Sequence, residues 1–290
     1  MQSTGSKLEG KSCQVRDNST TKMPSISSFV LLALSLVAPS VSLPSTYPST
    51  LSNSQSSLTL LYHNNLNASD DVNHIAAILL DATSSSQASA ACSKLSERLL
   101  TRSAIQAHYD DFYYELSYLA YKGVSSPSQR YIIDGGVVAY NKRQSWLDFS
   151  PLPHGRNVLP VLCTQSANAS QPNSAVAAPA NEVTIAAAGD QYLGYRNLKS
   201  WRFNGVKYAD QPQRWQYSTL RPGTGQLVNA TSYGSQCPQV GAGVEDCLFL
   251  NIQTPYIPKA GSKAKKLRPV MFFIHGETRV CSNTVKPEPP

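Results

Sequence analysis

Two short apolar runs constrain the possible folds of this chain more than anything else in it. Leu248–Ile252 is stopped by Thr254-Pro255, and Val270-Met271-Phe272-Phe273-Ile274 runs directly into His275-Gly276. Each run is too short for a helix and is closed by a strand-ending signal. Val270–Ile274 has no polar alternation, the pattern of a strand buried on both faces. A strand of that kind ending in His-Gly predicts a parallel α/β sheet whose carboxyl edge carries the chemistry.

Several ordered motifs surround these runs. Glu245-Asp246-Cys247-Leu248-Phe249-Leu250-Asn251 precedes the second run. Upstream lie Phe203-Asn204-Gly205-Val206-Lys207-Tyr208-Ala209, Pro212, Arg214-Trp215, Tyr233-Gly234 and Cys237-Pro238-Gln239. Together they resemble the type-B carboxylesterases, the family of cholinesterases and fungal lipases. The resemblance runs from Val183 to Gly276, roughly a third of the chain, and it is specific because separate motifs occur in register. It implies an α/β-hydrolase fold represented by its N-terminal strands only, with a small antiparallel set at the sheet edge. It also pairs Cys237 with Cys247 in a disulfide and Arg214 with Glu245 in a structural salt bridge. The activity it implies is serine-nucleophile hydrolysis of small-molecule or lipid esters, with no cofactor and no metal.

The chain has 290 residues, room for one or two domains, and a net charge of +7. Its one dense basic run, Lys259–Arg268, lacks interleaved aromatics. That pattern marks a solvated loop and argues against nucleic-acid binding. Met23–Ser42 reads as a secretory signal with the h-region Phe29–Val37. Cleavage is expected at Ser40-Val41-Ser42 or at Ala38-Pro39-Ser40. The run is too short to span a bilayer, so no stable membrane anchor is expected. Translation is expected to start at Met23. A secreted chain favours disulfides, and no Cys-x-x-Cys metal pattern occurs. Cys92 with Cys163 is the candidate second pair, which leaves Cys281 odd. Sequons at Asn67, Asn168 and Asn229 mark expected glycosylated surface loops.

Residues 1–42 are therefore expected to be leader and signal, and residues 43–180 an extra mixed α+β region of unknown role. Residues 181–276 are expected to be the esterase-like part, and 277–290 an aberrant tail. In the extra region, Leu58–Tyr62 reads as a strand. Asp70 or Asp71 is expected to cap a helix through Leu80, with His74, Ile75, Ile78 and Leu79 as its stripe. Ser84–Ala90 reads as a linker. Lys94–Lys122 reads as one helix ended by Gly123, with Tyr109–Tyr121 forming a packed aromatic face rather than a ligand cleft. Tyr131–Tyr140 reads as a hairpin with a Gly-rich turn, Val158–Cys163 as a strand, and Thr164–Asn181 as a linker. Val183–Ala187, Gln191–Tyr195 and Trp201–Tyr208 read as the opening strands of the esterase-like part.

Ester hydrolysis on this fold needs an activated serine, a histidine base, an orienting acid and backbone oxyanion donors. The serine sits in Gly-x-Ser-x-Gly, a pentapeptide absent from these 290 residues. By resemblance, His275 and Gly276 are the remnant of the oxyanion loop. Glu277 and Thr278 stand where the family carries glycines, and a carboxylate there would repel a developing oxyanion. His63, His74, His108 and His154 lack a metal-binding spacing and read as structural or surface residues. Three readings follow. The first is a secreted type-B carboxylesterase whose present chain is inactive. The second is a non-catalytic, cholinesterase-like binding or adhesion protein, and the third is a truncated product without a stable fold. Gly-Glu can be encoded GGT-GAG, which contains an intron-donor sequence, so Glu277–Pro290 are expected to be translated intron or an unspliced or wrongly bounded exon end.

Overall fold

The computed structural model describes residues 56–155, 157–169, 176–239, 241–262 and 268–274. All of them fall in one compact unit. Its centre is a seven-stranded sheet built from β1 (Leu58–Leu61), β2 (Ala77–Ser84), β3 (Arg130–Ile133), β4 (Gly136–Asn141), β5 (Trp146–Ser150), β6 (Val158–Thr164) and β12 (Tyr256–Ile257). The spatial order is β12-β1-β2-β6-β3-β4-β5. A second sheet orders β10 (Leu227–Asn229), β8 (Asp190–Arg196), β9 (Trp201–Lys207) and β11 (Phe249–Thr254), with β7 (Glu182–Ala187) paired to β8.

The two-residue period of the strands sorts the central sheet into two cores. Leu58, Leu60, Ile78, Leu80, Ile132, Val137, Val161 and Cys163 face one side. Leu61, Ala77, Tyr131, Ile133, Val138 and Leu162 face the other. On the second side lie helices α2 (Arg102–Ala107) and α3 (Tyr109–Tyr121), through Ile105, Phe112, Leu116 and Leu119. On the first side lie α1 (Ser85–Ser93) and the second sheet, through Ala88, Cys92, Val183, Trp201 and Phe203. Residues before and after position 180 therefore share one core. The central sheet itself is joined across that position: β12 pairs with β1, and Leu60 N–H donates to Pro255 O at 2.7 Å.

Several expectations are met. Leu58–Leu61, the hairpin β3–β4, β6, and the antiparallel set β7, β8 and β9 lie where the sequence places them. Gly123 ends α3 in the left-handed region, with φ +66°. Thr101 caps α2, its side chain accepting from Ala104 N–H at 3.1 Å.

Other expectations are corrected. The helix expected through Leu80 is a 3-10 turn, Ala68–Asn73, followed by β2. His74 is extended there, and Ile75 N–H donates to the Asp111 carboxylate at 3.0 Å, so pairing with β1 and β6 overrides the helical stripe. The expected linker Ser84–Ala90 lies largely in α1. Its small residues Ala88 and Cys92 are one turn apart and wholly buried, which lets the helix sit close to β6. The single helix over Lys94–Lys122 is instead α2 and α3, because the backbone of Leu100 bridges Leu162 O and Asp134 N–H. The sheets are mixed, not parallel: β3 meets β6 at one parallel position and β10 runs parallel to β8, while the other pairings are antiparallel. Val270–Ile274 is not a buried strand. These residues are irregular and 75–93% exposed, with no strand partner among the described residues.

Candidate functional site

The esterase-like motifs are distant in sequence and meet at one place. Strand β9 contains Phe203–Lys207 and bends at Gly205, where φ is +62°. A Cβ at Gly205 would lie 2.6 Å from Ser232 O, so only glycine lets the Ser232–Gly234 turn close over β9. Gly205 N–H donates to Asn251 Oδ1 at 2.9 Å. The open α-carbon of Gly234 in turn makes room for the Phe249 ring. Strand β11 pairs Phe249 with Lys207 and Leu250 with Val206, and Lys207 Nζ lies 2.7 Å from Asp246 Oδ1. The spelling Phe-x-Gly, Tyr-Gly and Asp-Cys-Leu-Phe-Leu-Asn is thus one interlocked packing unit.

Cys237 and Cys247 are bonded, with Cα atoms 4.9 Å apart, and so are Cys92 and Cys163, at 5.5 Å. The expected salt bridge between Arg214 and Glu245 is not formed. Both residues are exposed, and the Arg214 guanidinium lies 5.2 Å from the centre of the Trp215 ring. A hydrated carboxylate gains little from an exposed partner, and the acid engaged in this loop is Asp246. His275 and Gly276, the oxyanion-loop remnant, lie outside the described residues. So do Glu277, Thr278 and residues 263–267 of the basic run. Asn67, Asn168 and Asn229 are exposed. Asn67 Oδ1 accepts from the Ser69 hydroxyl and Asn229 Oδ1 from the Thr231 hydroxyl, both at 2.7 Å.

The densest titratable cluster centres on His74. Its Nδ1 lies 2.5 Å from Asp111 Oδ1 and its Nε2 lies 3.1 Å from Asp70 Oδ2. The bond to Asp111 is the main reason its pKa is raised above the ordinary histidine value. With a carboxylate at each ring nitrogen, the protonated form of the ring is favoured. It clamps the Ala68–Asn73 turn and the start of β2 to α3, a structural role. Burial, aided by the nearby Asp111, pushes Glu115 up to about 7. Among the described residues no group of three or more His, Cys, Asp or Glu could hold a metal ion. No helix there is long and apolar enough to cross a membrane.

Three engaged charges were not legible in the sequence. Arg196 and Glu97 form a fully buried pair at 2.5 Å. Asp190 accepts from the backbone of Thr224 and Gln226, and these bonds hold its carboxyl below the usual range.

Residues 189–286 match the carboxylesterase family, so the match extends beyond Gly276, the last residue of the ordered motifs. Esterase E4 of Myzus persicae is 36% identical over 101 residues, covering 31% of this chain and 18% of that protein. Esterase FE4 of the same organism is 36% identical over 101 residues, covering 31% of this chain and 17% of that protein. The chain thus spans less than a fifth of the length of these curated relatives. No solved structure matches it. The carboxylesterase family is therefore the family that this chain matches, over residues 189–286.

Proposed function

We propose that this chain carries the opening part of a secreted type-B carboxylic-ester hydrolase acting by serine-nucleophile acyl transfer on small-molecule or lipid esters. The observation behind this reading is the interlocking of Gly205, Gly234, Phe249 and Asn251, which gives the family-like motifs a shared structural cause. The chemistry itself belongs to a nucleophile, base and acid that a Gly-x-Ser-x-Gly-bearing sequence supplies, with His275-Gly276 as the start of the oxyanion loop. Secretion is supported by the two disulfides and by the exposure of Asn67, Asn168 and Asn229 as glycan acceptors. The 290-residue chain alone turns over no ester. The test is an assay of the purified chain with a short-chain acyl ester, alongside labelling by a serine-directed organophosphate. Background rates and no label are expected. Turnover that the organophosphate abolishes would contradict this reading.

A further inference from the structure

Strand β9 buries an arginine that has no counter-charge among the described residues. One register row runs Glu182, Tyr195, Arg202, Gln253 across β7, β8, β9 and β11. Arg202 therefore lies on the sheet face opposite Trp201 and Phe203, which fill the shared core. It is 5% exposed, and its Nε and Nη1 are enclosed without a hydrogen-bond acceptor among the described residues. None of the ion pairs among those residues includes it. Glu182, the acid of its row, is two strands away, about 10 Å at the usual strand spacing and beyond ion-pair reach.

Its electrostatic neighbours are the phenols of Tyr195 and Tyr233. Tyr195 also accepts from the Asn204 amide at 3.2 Å. These neighbours are polar but neutral. Burial lowers the pKa of the guanidinium, yet arginine keeps its proton in proteins. The other buried arginine of this sheet differs in having a counter-charge, though its Nη1 likewise lacks an acceptor among the described residues. Arg196 donates to Glu97, to Gln165 Oε1 and to Leu95 O. A buried charge with open donors is strongly unfavourable unless an anion completes it.

We propose that Arg202 is an anion-binding site that takes a carboxylate, with Tyr195 and Asn204 beside it. A planar guanidinium matches a carboxylate in shape and charge. The carboxylate is that of a small free acid. The site does not depend on the ester-hydrolase reading.

The test titrates the 290-residue protein with sodium acetate against sodium chloride at constant ionic strength. Two signals are read: the thermal midpoint and the Arg202 Nε–H NMR cross-peak, assigned by its loss in R202K. Acetate is expected to raise the midpoint saturably by several degrees and to shift the cross-peak. R202M abolishes the response, and in chloride it is at least as stable as the wild type. The proposal is overturned if the wild type does not respond, or if R202M responds as the wild type does. Should R202M fail to fold, the cross-peak titration of the wild type decides alone.

Discussion

Arg196 Nη2 lies 2.5 Å from Glu97 Oε1, and both side chains are wholly buried between the second sheet and the segment that follows α1. The Glu97 carboxylate also accepts from Thr164 Oγ1 at 2.6 Å and from Ser166 N–H at 2.8 Å. Burial lowers the pKa of Arg196, and Glu97 opposes that shift. The pair joins a family-matched strand to a segment outside the family match. Removing one member leaves a buried charge unpaired, so E97A should destabilise the protein by about 3–5 kcal/mol. A urea titration of E97A, R196M and the double variant checks this, with strong non-additivity expected because each single change strands the other charge.

Stability should fall as pH rises between about 5 and 8. The folded-state pKa of His74 is raised, as is that of Glu115, to about 7. A raised group contributes stability that is fully present below its unfolded pKa and is lost as pH rises through its folded pKa. For Glu115 that window begins near 4.5 and closes near 7. For His74 it begins near 6.5 and runs upward. E115Q should flatten the lower part of the curve. Thermal midpoints measured across this range provide the check, and a rise with pH would count against these environments.

The two disulfides should open in a fixed order. Cys92 and Cys163 are fully buried, while Cys237 lies in an exposed loop. Mild reductant followed by alkylation and peptide mapping should label Cys237 and Cys247 first. By chain entropy, a separation of 71 residues is worth about 4 kcal/mol and one of 10 residues about 3 kcal/mol. Loss of the first should therefore cost more.

Gly205→Ala should destabilise the protein on the order of 1–3 kcal/mol, because φ is +62° and the new Cβ meets Ser232 O. N251A, which frees the Gly205 N–H, should cost about 1 kcal/mol. Chemical denaturation of both variants tests whether the motif is a packing unit.

The sequence shows these strands unevenly, for physical reasons. Strands β6 to β9 were legible because their residues alternate or form apolar runs bounded by turn residues. The stretch His74–Leu79 misled because its apolar residues fit a helical stripe, and only pairing with β1 and β6 decides for a strand. Ser85–Ser93 misled in the opposite sense, since small residues read as linker until Cys92 anchors them to Cys163. Val270–Ile274 reads as a central strand from composition alone, but a strand needs neighbours, and the described residues supply none. Of the site, the Cys237–Cys247 pairing was legible through family spelling. The role of Asn251 and the burial of Arg202 were not, because both depend on contacts made across strands.

The central structural claim is that the family-matched strands and the residues before them fold as one core. Native-state hydrogen exchange tests it most directly, comparing amides of β2 and β6 with those of β8 and β9. The account predicts one shared opening free energy, lowered equally in all four strands by E97A. Two separate opening energies, with E97A affecting only one sheet, would contradict it.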